Sequence, residues 1–293
     1  MEVSVIIVTW NAEKFIKDCL ESVFSQSVRG IEIIVVDNGS SDGTLRILKG
    51  YLPRLQLIEN KENKGFCEAN NQGFNKAAGH YIMTLNSDIA LDKDYIKHLI
   101  DSLRLRKEVG MVQGKFLRMD KTTIDSLGLS LSPAIRLYNI AEGRPDGPQF
   151  KKEKEIFGPC AAAALYKREL VEDVSYAGEF FDNNFFYLVE DFDVAWRARR
   201  KGWKAMYVPQ AICYHYRSSA AHPSVFKQYL SFRNRYFLLI KNAGIKTLLM
   251  GIPYFLVYDL PRVLFLLFKN PYTIKALAEI KGLWPELLKR RRQ

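Results

Sequence analysis

The stretch Val3-Ser4-Val5-Ile6-Ile7-Val8-Thr9, followed by Trp10-Asn11, decides how the rest of the chain is interpreted. It is apolar and rich in β-branched residues over a length that is typical of a strand buried on both faces of a sheet. No Gly-rich loop of the GxGxxG or GxxxxGK[ST] kind follows it. The sequence therefore excludes dinucleotide dehydrogenases and P-loop phosphotransferases, which both need such a phosphate cradle.

Strand-like and helix-like segments alternate through the first third of the chain. Apolar strand patterns return at residues 31–36, 55–59 and 81–85. Segments with helical spacing of apolar residues separate or follow them, at residues 15–24, 44–51, 63–77 and 95–106. Four β–α alternations predict the α/β class, with a parallel sheet and helices on both of its faces.

Polar side chains follow three of the predicted strands at the point where each strand ends. They are Thr9 with Asn11, then Asp37, and then Asn86-Ser87-Asp88. Asp and Asn also end strands in ordinary turns, but ligands of open α/β sheets bind beyond the carboxyl ends of the strands. Three polar loops on one edge therefore favour a ligand site. Asp37 suits a base or ribose, and Asp88 suits a divalent cation that keeps other ligands from phosphates and water.

Taken in order, five stretches resemble the inverting family 2 glycosyltransferases of the GT-A fold, especially their rhamnosyltransferase-like branch. The resemblance covers roughly residues 1–220. It implies a nucleotide-diphospho-sugar transferase with a Rossmann-like, mostly parallel sheet, divided into a nucleotide-sugar-binding half (1–110) and an acceptor-binding half (111–220), and a helical C-terminal region (221–293). The five stretches are residues 5–11, residues 35–43, Asn63-Lys64-Gly65-Phe66 with Asn70 and Gly73, Leu85-Asn86-Ser87-Asp88 and Glu190-Asp191-Phe192-Asp193.

The resemblance also assigns roles to single residues. It places Asn86 where the family has the first acid of a metal-binding pair, so Asp88 is left as the one carboxylate expected to ligate Mn²⁺ or Mg²⁺, with His215 as a second ligand. A solvated lysine remains an alternative for Lys64, and a structural histidine for His215. The residues that the resemblance assigns to the nucleotide sugar are Thr9, Asn11, Asp37, Lys64, Asn86 and Ser87.

The Glu190-Asp191 pair is where the family has its general base. A sugar hydroxyl is a poor nucleophile, and a carboxylate within hydrogen-bond reach can take its proton. We expect Asp191 to be this base and Glu190 to orient the acceptor, beside Cys160 and Ala161 in a run of small residues that lets the acceptor approach closely. The alternative is that these acids only interact favourably with the dipole at a helix N-terminus, and we assign that role to Asp193.

Other polar residues are expected near the diphosphate. Arg217, Ser218 and Ser219 follow His215 closely enough to close that site. Arg197 either faces the diphosphate or forms a salt bridge within its helix. No Ser/His/Asp or Cys/His signature is present, which agrees with inversion in a single displacement that needs no covalent nucleophile.

Charge is distributed unevenly along the chain. The 293 residues include 43 Lys and Arg against 32 Asp and Glu, a net charge of +11, and 48% of them are hydrophobic. Such a composition can bury a core and excludes global disorder. Ten of the basic residues and three of the acidic ones lie in residues 241–293. The basic character therefore belongs to the C-terminal region, which argues against nucleic acid as a partner.

The C-terminal region also contains the most apolar stretch, residues 248–268, interrupted by Pro253, Asp259, Pro261 and Arg262. Its length suits a bilayer, but its prolines and charges favour an interfacial or re-entrant membrane helix. A buried core helix is the alternative. The basic run 289–292 suits anionic lipid headgroups or a polyprenyl-diphosphate acceptor. We therefore expect a membrane contact through residues 248–293.

Four widely spaced cysteines, Cys19, Cys67, Cys160 and Cys213, form no CxxC pair. They indicate a reducing compartment. Met1 leads into the first strand with neither a basic n-region nor a long apolar h-region, so we expect the chain to fold in the cytoplasm and to work at the cytoplasmic face of the membrane.

These observations predict a membrane-associated enzyme that moves a hexose or deoxyhexose from a nucleoside diphosphate donor to a lipid-linked or polysaccharide acceptor. Rhamnose from a dTDP donor is the sugar that the resemblance favours. Two alternatives remain: a nucleotidyltransferase of similar architecture, and an inactive sugar-nucleotide-binding scaffold at the membrane. The first needs a phosphate loop where the chain has Trp10-Asn11-Ala12-Glu13.

Overall fold

The computed structural model describes residues 1–132, 135–217, 222–270 and 272–291. Within these ranges most strands join one mixed sheet. The strands are β1 (Val3–Thr9), β2 (Ile31–Asp37), β3 (Gln56–Glu59), β4 (Tyr81–Asn86), β5 (Ile89–Leu91), β6 (Val109–Arg118), β7 (Ile124–Ser126), β8 (Leu129–Leu131), β9 (Leu137–Asn139), β10 (Lys154–Ile156), β11 (Ala163–Lys167) and β12 (Lys204–His215). The helices are α1 (Ile16–Phe24), α2 (Thr44–Lys49), α3 (Gly65–Phe74), α4 (Tyr95–Leu105), α5 (Arg168–Val174), α6 (Glu190–Arg200), α7 (Ser224–Asn242), α8 (Ile245–Tyr254), α9 (Leu260–Lys269) and α10 (Tyr272–Arg291).

The sheet runs in the order β10-β12-β6-β11-β4-β1-β2-β3, with β5 on β12 and β7 on β6. Strands β3, β2, β1 and β4 are parallel neighbours, which confirms the parallel sheet predicted for the first half. The second half is mixed, because β11 runs antiparallel to both β4 and β6. Strands β8 and β9 form a separate antiparallel pair.

Helices pack on both faces of the sheet, as predicted. Alternate residues of β1 point to opposite faces, so Val5 and Ile7 belong to one buried cluster and Ile6 to the other. Helices α1 and α4 cover the first cluster, and α3 and α6 contribute to the second. The cysteines, all within the described residues, are free thiols.

The register of the parallel strands brings the predicted polar residues to one edge. Thr9 lies opposite Asp37, and Val8 lies opposite Asn86. Asn11, a residue type that often caps helices, does not cap α1. Phe15 precedes the helix, while Asn11 has a φ of 52° and bonds to the loop after β2 instead.

A buried ion cluster ties the C-terminal helices to the rest of the fold. Lys241 on α7 places its Nζ 2.6 Å from Asp182 and 2.8 Å from Asp193 of α6. Burial opposes ionisation of Asp193, but the charges of Lys241 and Arg197 outweigh it and hold the pKa of this carboxyl well below its usual range. Asp193 is therefore more than a surface acid at a helix N-terminus. Arg197 bonds within the fold and does not face a diphosphate.

Part of the basic C-terminal run faces the protein rather than solvent. Arg290 lies 2.6 Å from Glu179 and 3.1 Å from Asp182. The guanidinium of Arg291 donates to the backbone carbonyls of Ile240 and Ala243. The prediction that residues 289–292 face lipid headgroups is therefore wrong for these two arginines, and Arg292 lies outside the described residues.

Helices α8 and α9 form one long apolar rod, because the π-helical segment Phe255–Asp259 joins them without a break. Among the described residues, Ile245–Lys269 is long and apolar enough to cross a bilayer, with a mean hydropathy of 1.4 and only 11% of its most apolar stretch buried. Val257 is 63% exposed and Phe268 is 89% exposed. The alternative of a buried core helix is therefore wrong.

We expect Lys241→Ala to lower the free energy of unfolding by about 3 kcal/mol, because it leaves two buried carboxylates short of a cation. The measurement is urea denaturation in detergent, followed by circular dichroism. Lys246→Ala, on the exposed start of α8, is the control and should change the free energy by less than 0.5 kcal/mol, as is typical of surface sites. Equal stability of the two variants would contradict the structural role of the ion cluster.

Candidate functional site

A cavity of about 100 Å³ opens at the carboxyl edge of the sheet, and we call it the rim cavity. Trp10 forms one side, with its ring stacked on His222 at a centroid distance of 4.9 Å. Aromatic faces beside side-chain amides suit a planar heterocycle with polar edges. The lining residues are Val8, Trp10, Asn38, Asn63, Gly65, Phe66, Asn86, Ser87, Phe186, Tyr187 and His222.

Two of the residues predicted to bind a nucleotide sugar, Asn86 and Ser87, line the rim cavity. Thr9 and Asp37 do not line it; both are fully buried beside it at the ends of β1 and β2. Within the described residues, Thr9 Oγ1 and Asp37 Oδ1 have no hydrogen-bond partner. Buried polar atoms are normally paired, so these two oxygens are available to a ligand that reaches the strand ends.

The other two predicted residues already have partners in the protein. Asn11 accepts a hydrogen bond from the backbone N–H of Ser41. Lys64 lies 3.0 Å from Glu68, one helical turn away. Neither lines the rim cavity, so the structure does not bring Asn11 or Lys64 to the other predicted residues.

The start of α3 forms another wall of the rim cavity through a backbone contact. Gly65 has a φ of 86°, and a Cβ atom there would lie 2.5 Å from the ring of Phe186. Asn38 holds this turn, because its amide donates to Asn63 and to the Gly65 carbonyl. The sequence contained Trp10, Asn38 and Asn63 within its motifs, but the spacing alone did not identify them as lining residues.

A carboxylate and an imidazole meet where β5 pairs with β12. His215 lies opposite Ile89, which brings its Nε2 atom to 3.4 Å from Asp88 Oδ1. Its Nδ1 atom lies 2.8 Å from Asp125 Oδ2. Burial lowers the pKa of His215, but Asp125 and Asp88 outweigh burial and raise the pKa to about 9. The sequence missed Asp125, which reaches the site only because β7 pairs with β6.

This pair fits a divalent cation that takes most of its ligands from a bound molecule. One carboxylate and one imidazole are suitable donors once a cation displaces the proton of His215, and a second carboxylate on the far ring nitrogen is the usual way to orient a ligating histidine. Among the described residues there is no group of three side chains that would hold a metal ion by itself. Phosphate oxygens and water would therefore have to complete the shell.

A second cavity, of about 470 Å³, adjoins the rim cavity, and we call it the central cavity. The two share Phe66, Asn86 and Tyr187 as lining residues. Arg217 also lines the central cavity and bonds to Asp125 and Glu142, whereas Ser218 and Ser219 lie outside the described residues. The predicted residues that meet in this cavity are Asn86, Cys160, Ala161, Glu190, Asp191 and His215.

The loop that precedes α6 is strained. Phe186, Leu188 and Val189 have φ values of 64°, 72° and 75°, a region that side chains other than glycine rarely adopt. Asn234 of α7 is fully buried, and its amide donates to the carbonyls of Phe185, Tyr187 and Leu188 over 2.7 to 2.9 Å. These bonds offset the strain and fix the direction in which α6 begins. The sequence carried no signal for this role of Asn234.

The first turn of α6 presents two acids with different proton affinities. Burial, together with the charge of Asp191, raises the pKa of Glu190 well above its usual value. Burial also raises the pKa of Asp191, to about 6, although the backbone N–H groups of Phe192 and Ala161 favour its charged form. At neutral pH the pKa of about 6 leaves Asp191 largely ionised, whereas burial favours the protonated form of Glu190. Such a pair can accept a proton at Asp191 and hold a ligand hydroxyl at Glu190.

Comparison with known proteins yields one family model and a set of curated relatives. The family model described as Glycosyl transferase family 2 matches residues 4–175. A poly-beta-1,6-N-acetyl-D-glucosamine synthase of Staphylococcus aureus is 25% identical over 214 residues, which are 72% of this chain and 49% of that protein. A synthase of the same name from Staphylococcus epidermidis is 24% identical over the same length. The chain thus spans about half the length of these curated relatives.

Solved structures share the architecture at low sequence identity. TarS 1–349 of Staphylococcus aureus, in complex with UDP-GlcNAc, is 17% identical with a TM-score of 0.57, over 98% of this chain and 80% of that one. A mannosyltransferase from Pyrobaculum calidifontis, in complex with GDP-Man and Mn²⁺, is 17% identical with a TM-score of 0.59, over 96% and 75% of the two chains. These likenesses show the fold.

We expect Asp191→Asn to stabilise the fold at pH 8 by about 1–3 kcal/mol and to have no such effect at pH 3.5. The folded-state pKa of about 6 lies above the ordinary value of 3.8, so ionised Asp191 destabilises the fold above pH 6, and the effect disappears below pH 3.8. The measurement is thermal unfolding from pH 3.5 to 8. Asp101→Asn, on the exposed side of α4, should show no such trend, and a destabilised Asp191→Asn at pH 8 would refute the assignment.

Proposed function

The chain belongs to glycosyl transferase family 2, and from this premise we propose that it moves a sugar, with inversion, from a nucleoside diphosphate donor to a saccharide or lipid-linked acceptor of the cell envelope. The observation that carries the proposal is the central cavity. It places Asp191, ionised at neutral pH, in the same space as His215, whose Nε2 faces Asp88.

The donor is proposed to lie across the boundary between the two cavities. The base of the donor occupies the rim cavity between the Trp10 and Phe186 side chains. The polar edge of this base reaches Thr9 Oγ1 and Asp37 Oδ1, which have no hydrogen-bond partner within the described residues. Asn86 lines both cavities and is placed to contact the diphosphate or the sugar. Two structural neighbours are complexes with the nucleotide sugars UDP-GlcNAc and GDP-Man, which supports a donor of this chemical class. The sugar is a hexose or deoxyhexose, with rhamnose favoured by the resemblance.

The chemical step is one displacement at the anomeric carbon. An acceptor hydroxyl held by Glu190 in the central cavity attacks that carbon while Asp191 takes its proton. The new glycosidic bond forms as the bond to the diphosphate breaks, so the nucleoside diphosphate leaves with the electron pair and the configuration inverts. Cys160 and Ala161 line the same cavity, and their small size leaves room for the acceptor ring.

Asp88 and His215 are the residues that would hold Mn²⁺ or Mg²⁺, and Asp125 orients the imidazole from behind. A bound cation supplies neutralisation of the negative charge that develops on the leaving diphosphate. The imidazole ligand favours Mn²⁺ over Mg²⁺.

Family membership sets aside the nucleotidyltransferase alternative. The inactive scaffold differs from the proposed enzyme in one measurable property, which is transfer itself. The first experiment therefore screens the full chain against a panel of nucleoside diphosphate sugars, with and without Mn²⁺ or Mg²⁺, for binding and for release of nucleoside diphosphate. A scaffold binds a donor and releases no product.

We expect Asp191→Asn to lower the rate of transfer at least 10³-fold, because the amide cannot take the acceptor proton, while donor affinity changes less than threefold. The control, Asp193→Asn, removes an acid of the same helix turn that is ion-paired to Lys241, so it should reduce stability more than turnover. Undiminished transfer by Asp191→Asn would eliminate it as the base.

The apolar rod formed by α8 and α9 is proposed to lie in the membrane interface. Leu249, Phe265 and Phe268 are 57%, 58% and 89% exposed, and such apolar surface is stabilised by burial at about 25 cal/mol per Å². Deleting the C-terminal region is a poor test of this idea, because Arg290 and Arg291 bond inside the protein. Exposed substitutions on the rod are a better test.

We expect Leu249→Ser, Phe265→Ser and Phe268→Ser together to weaken binding to vesicles at least tenfold, because each removes exposed apolar surface from the rod. The measurement is cosedimentation with vesicles of phosphatidylethanolamine and phosphatidylglycerol. The control replaces apolar residues away from the rod, Leu52→Ser and Leu105→Ser, which are 48% and 76% exposed. Equal binding by both variants, or a wild-type chain that ignores vesicles, would overturn the proposal.

A further inference from the structure

A third cavity, of about 280 Å³, lies between the start of β9, helix α7 and the apolar rod, and we call it the basic cavity. Three arginines from three separate parts of the chain converge on it, against one carboxylate. The lining residues are Arg136, Leu137, Ser231, Arg235, Tyr254, Tyr258, Asp259 and Arg262.

The single carboxylate is already used by one of the arginines. Arg235 lies 2.8 Å from Asp259, and both are largely buried. The guanidinium of Arg136 lies 5.4 Å from the ring centre of Tyr258. In the ranges that the structure describes, neither Arg136 nor Arg262 forms an ion pair, and both are exposed. The cavity therefore offers two uncompensated guanidinium groups, which are the side chains best suited to phosphate oxygens.

The basic cavity adjoins the central cavity on one side and the apolar rod on the other. Leu137 and Ser231 line both the basic and the central cavity. Tyr254 and Tyr258 belong to the rod, whose neighbouring residues Leu256 and Val257 are 54% and 63% exposed. The basic cavity with its arginines therefore lies between the apolar rod and the cavity that contains Asp191.

We propose that the basic cavity binds the phosphate or diphosphate group of a lipid acceptor, which deepens the proposed function and rests on it. The hydrocarbon chain of this lipid lies along the apolar rod, its phosphate oxygens meet Arg136 and Arg262, and its glycosyl or hydroxyl end enters the central cavity. The donor diphosphate is placed elsewhere, beside Asp88 and His215. Because the basic cavity adjoins the central cavity, it suits a lipid whose reacting glycosyl or hydroxyl end lies just beyond its phosphate.

The test uses the full chain in detergent and three probes that divide the ligand into its parts. Farnesyl diphosphate has both the tail and the head, farnesol has only the tail, and inorganic pyrophosphate has only the head. Binding is measured by calorimetry for the wild type, for Arg136→Gln with Arg262→Gln, and for Lys246→Gln with Lys269→Gln. The lysine pair removes two exposed charges from the same rod without touching the basic cavity.

We expect farnesyl diphosphate to bind the wild type at least tenfold more tightly than farnesol or pyrophosphate does. The arginine pair should weaken this binding at least tenfold, and the lysine pair less than twofold. Equal losses in both variants would overturn the proposal in favour of diffuse surface charge. Pyrophosphate binding as tight as that of farnesyl diphosphate would overturn it in favour of a free-anion site.

A second measurement separates this proposal from the proposed function. Donor binding and Asp191-dependent transfer to a soluble saccharide are followed in the same variants. Loss of lipid binding with donor binding intact contradicts only the lipid site. Absence of donor binding in the wild type contradicts the glycosyltransferase itself, whatever the lipid probes show. The arginine pair should leave donor affinity within twofold of the wild type.

Discussion

The position of the two acids on α6 depends on the polar face of α7. Asn234 ties down three carbonyls of the strained loop before Glu190, and Lys241 neutralises Asp193 three residues after it. A helix that begins in a buried place with three acids in its first turn needs such partners, since unpaired buried charge and unpaired buried carbonyls are both costly. The position of the proposed general base is thus held by a helix outside the region that the family model matches.

The same arrangement explains why the pKa of Asp193 differs from the pKa values of Glu190 and Asp191, its neighbours on α6. The ion cluster lowers the pKa of Asp193, while burial beside the central cavity raises the pKa values of Glu190 and Asp191, which form no ion pair within the described residues. Burial without a neutralising ion pair disfavours the charged form of a carboxylate, and this raises its pKa enough for it to take a proton near neutral pH. A donor and acceptor that fill the cavity complete the environment that the protein leaves open.

The sequence predicted the sheet well because strands buried on both faces show long apolar runs, as in Val5-Ile6-Ile7-Val8. The sequence motifs also identified six residues that line the central cavity, because such motifs mark the ends of strands and helices. These residues are Asn86, Cys160, Ala161, Glu190, Asp191 and His215. The sequence missed Asp125 and Asn234, whose roles come from pairing between distant elements. Asn11 and Lys64 line neither cavity, and each has a local hydrogen bond or ion pair, so their role toward a nucleotide sugar stays a prediction. A sequence motif does not show whether a polar side chain is available to a ligand or already bonded to another residue of the protein.

The excess positive charge acquires a more specific meaning in three dimensions. In the sequence, the basic C-terminal region indicated a general attraction to anionic membranes. In the fold, Lys241, Arg290 and Arg291 are bonded inside the protein, so they contribute little to the outer surface. Within the described residues, Arg136 and Arg262 form no ion pair where the apolar rod meets the central cavity. In the proposed lipid site, charge fixed at that junction would select an amphiphile with an anionic group at a fixed distance from its reacting end, which diffuse surface charge cannot do.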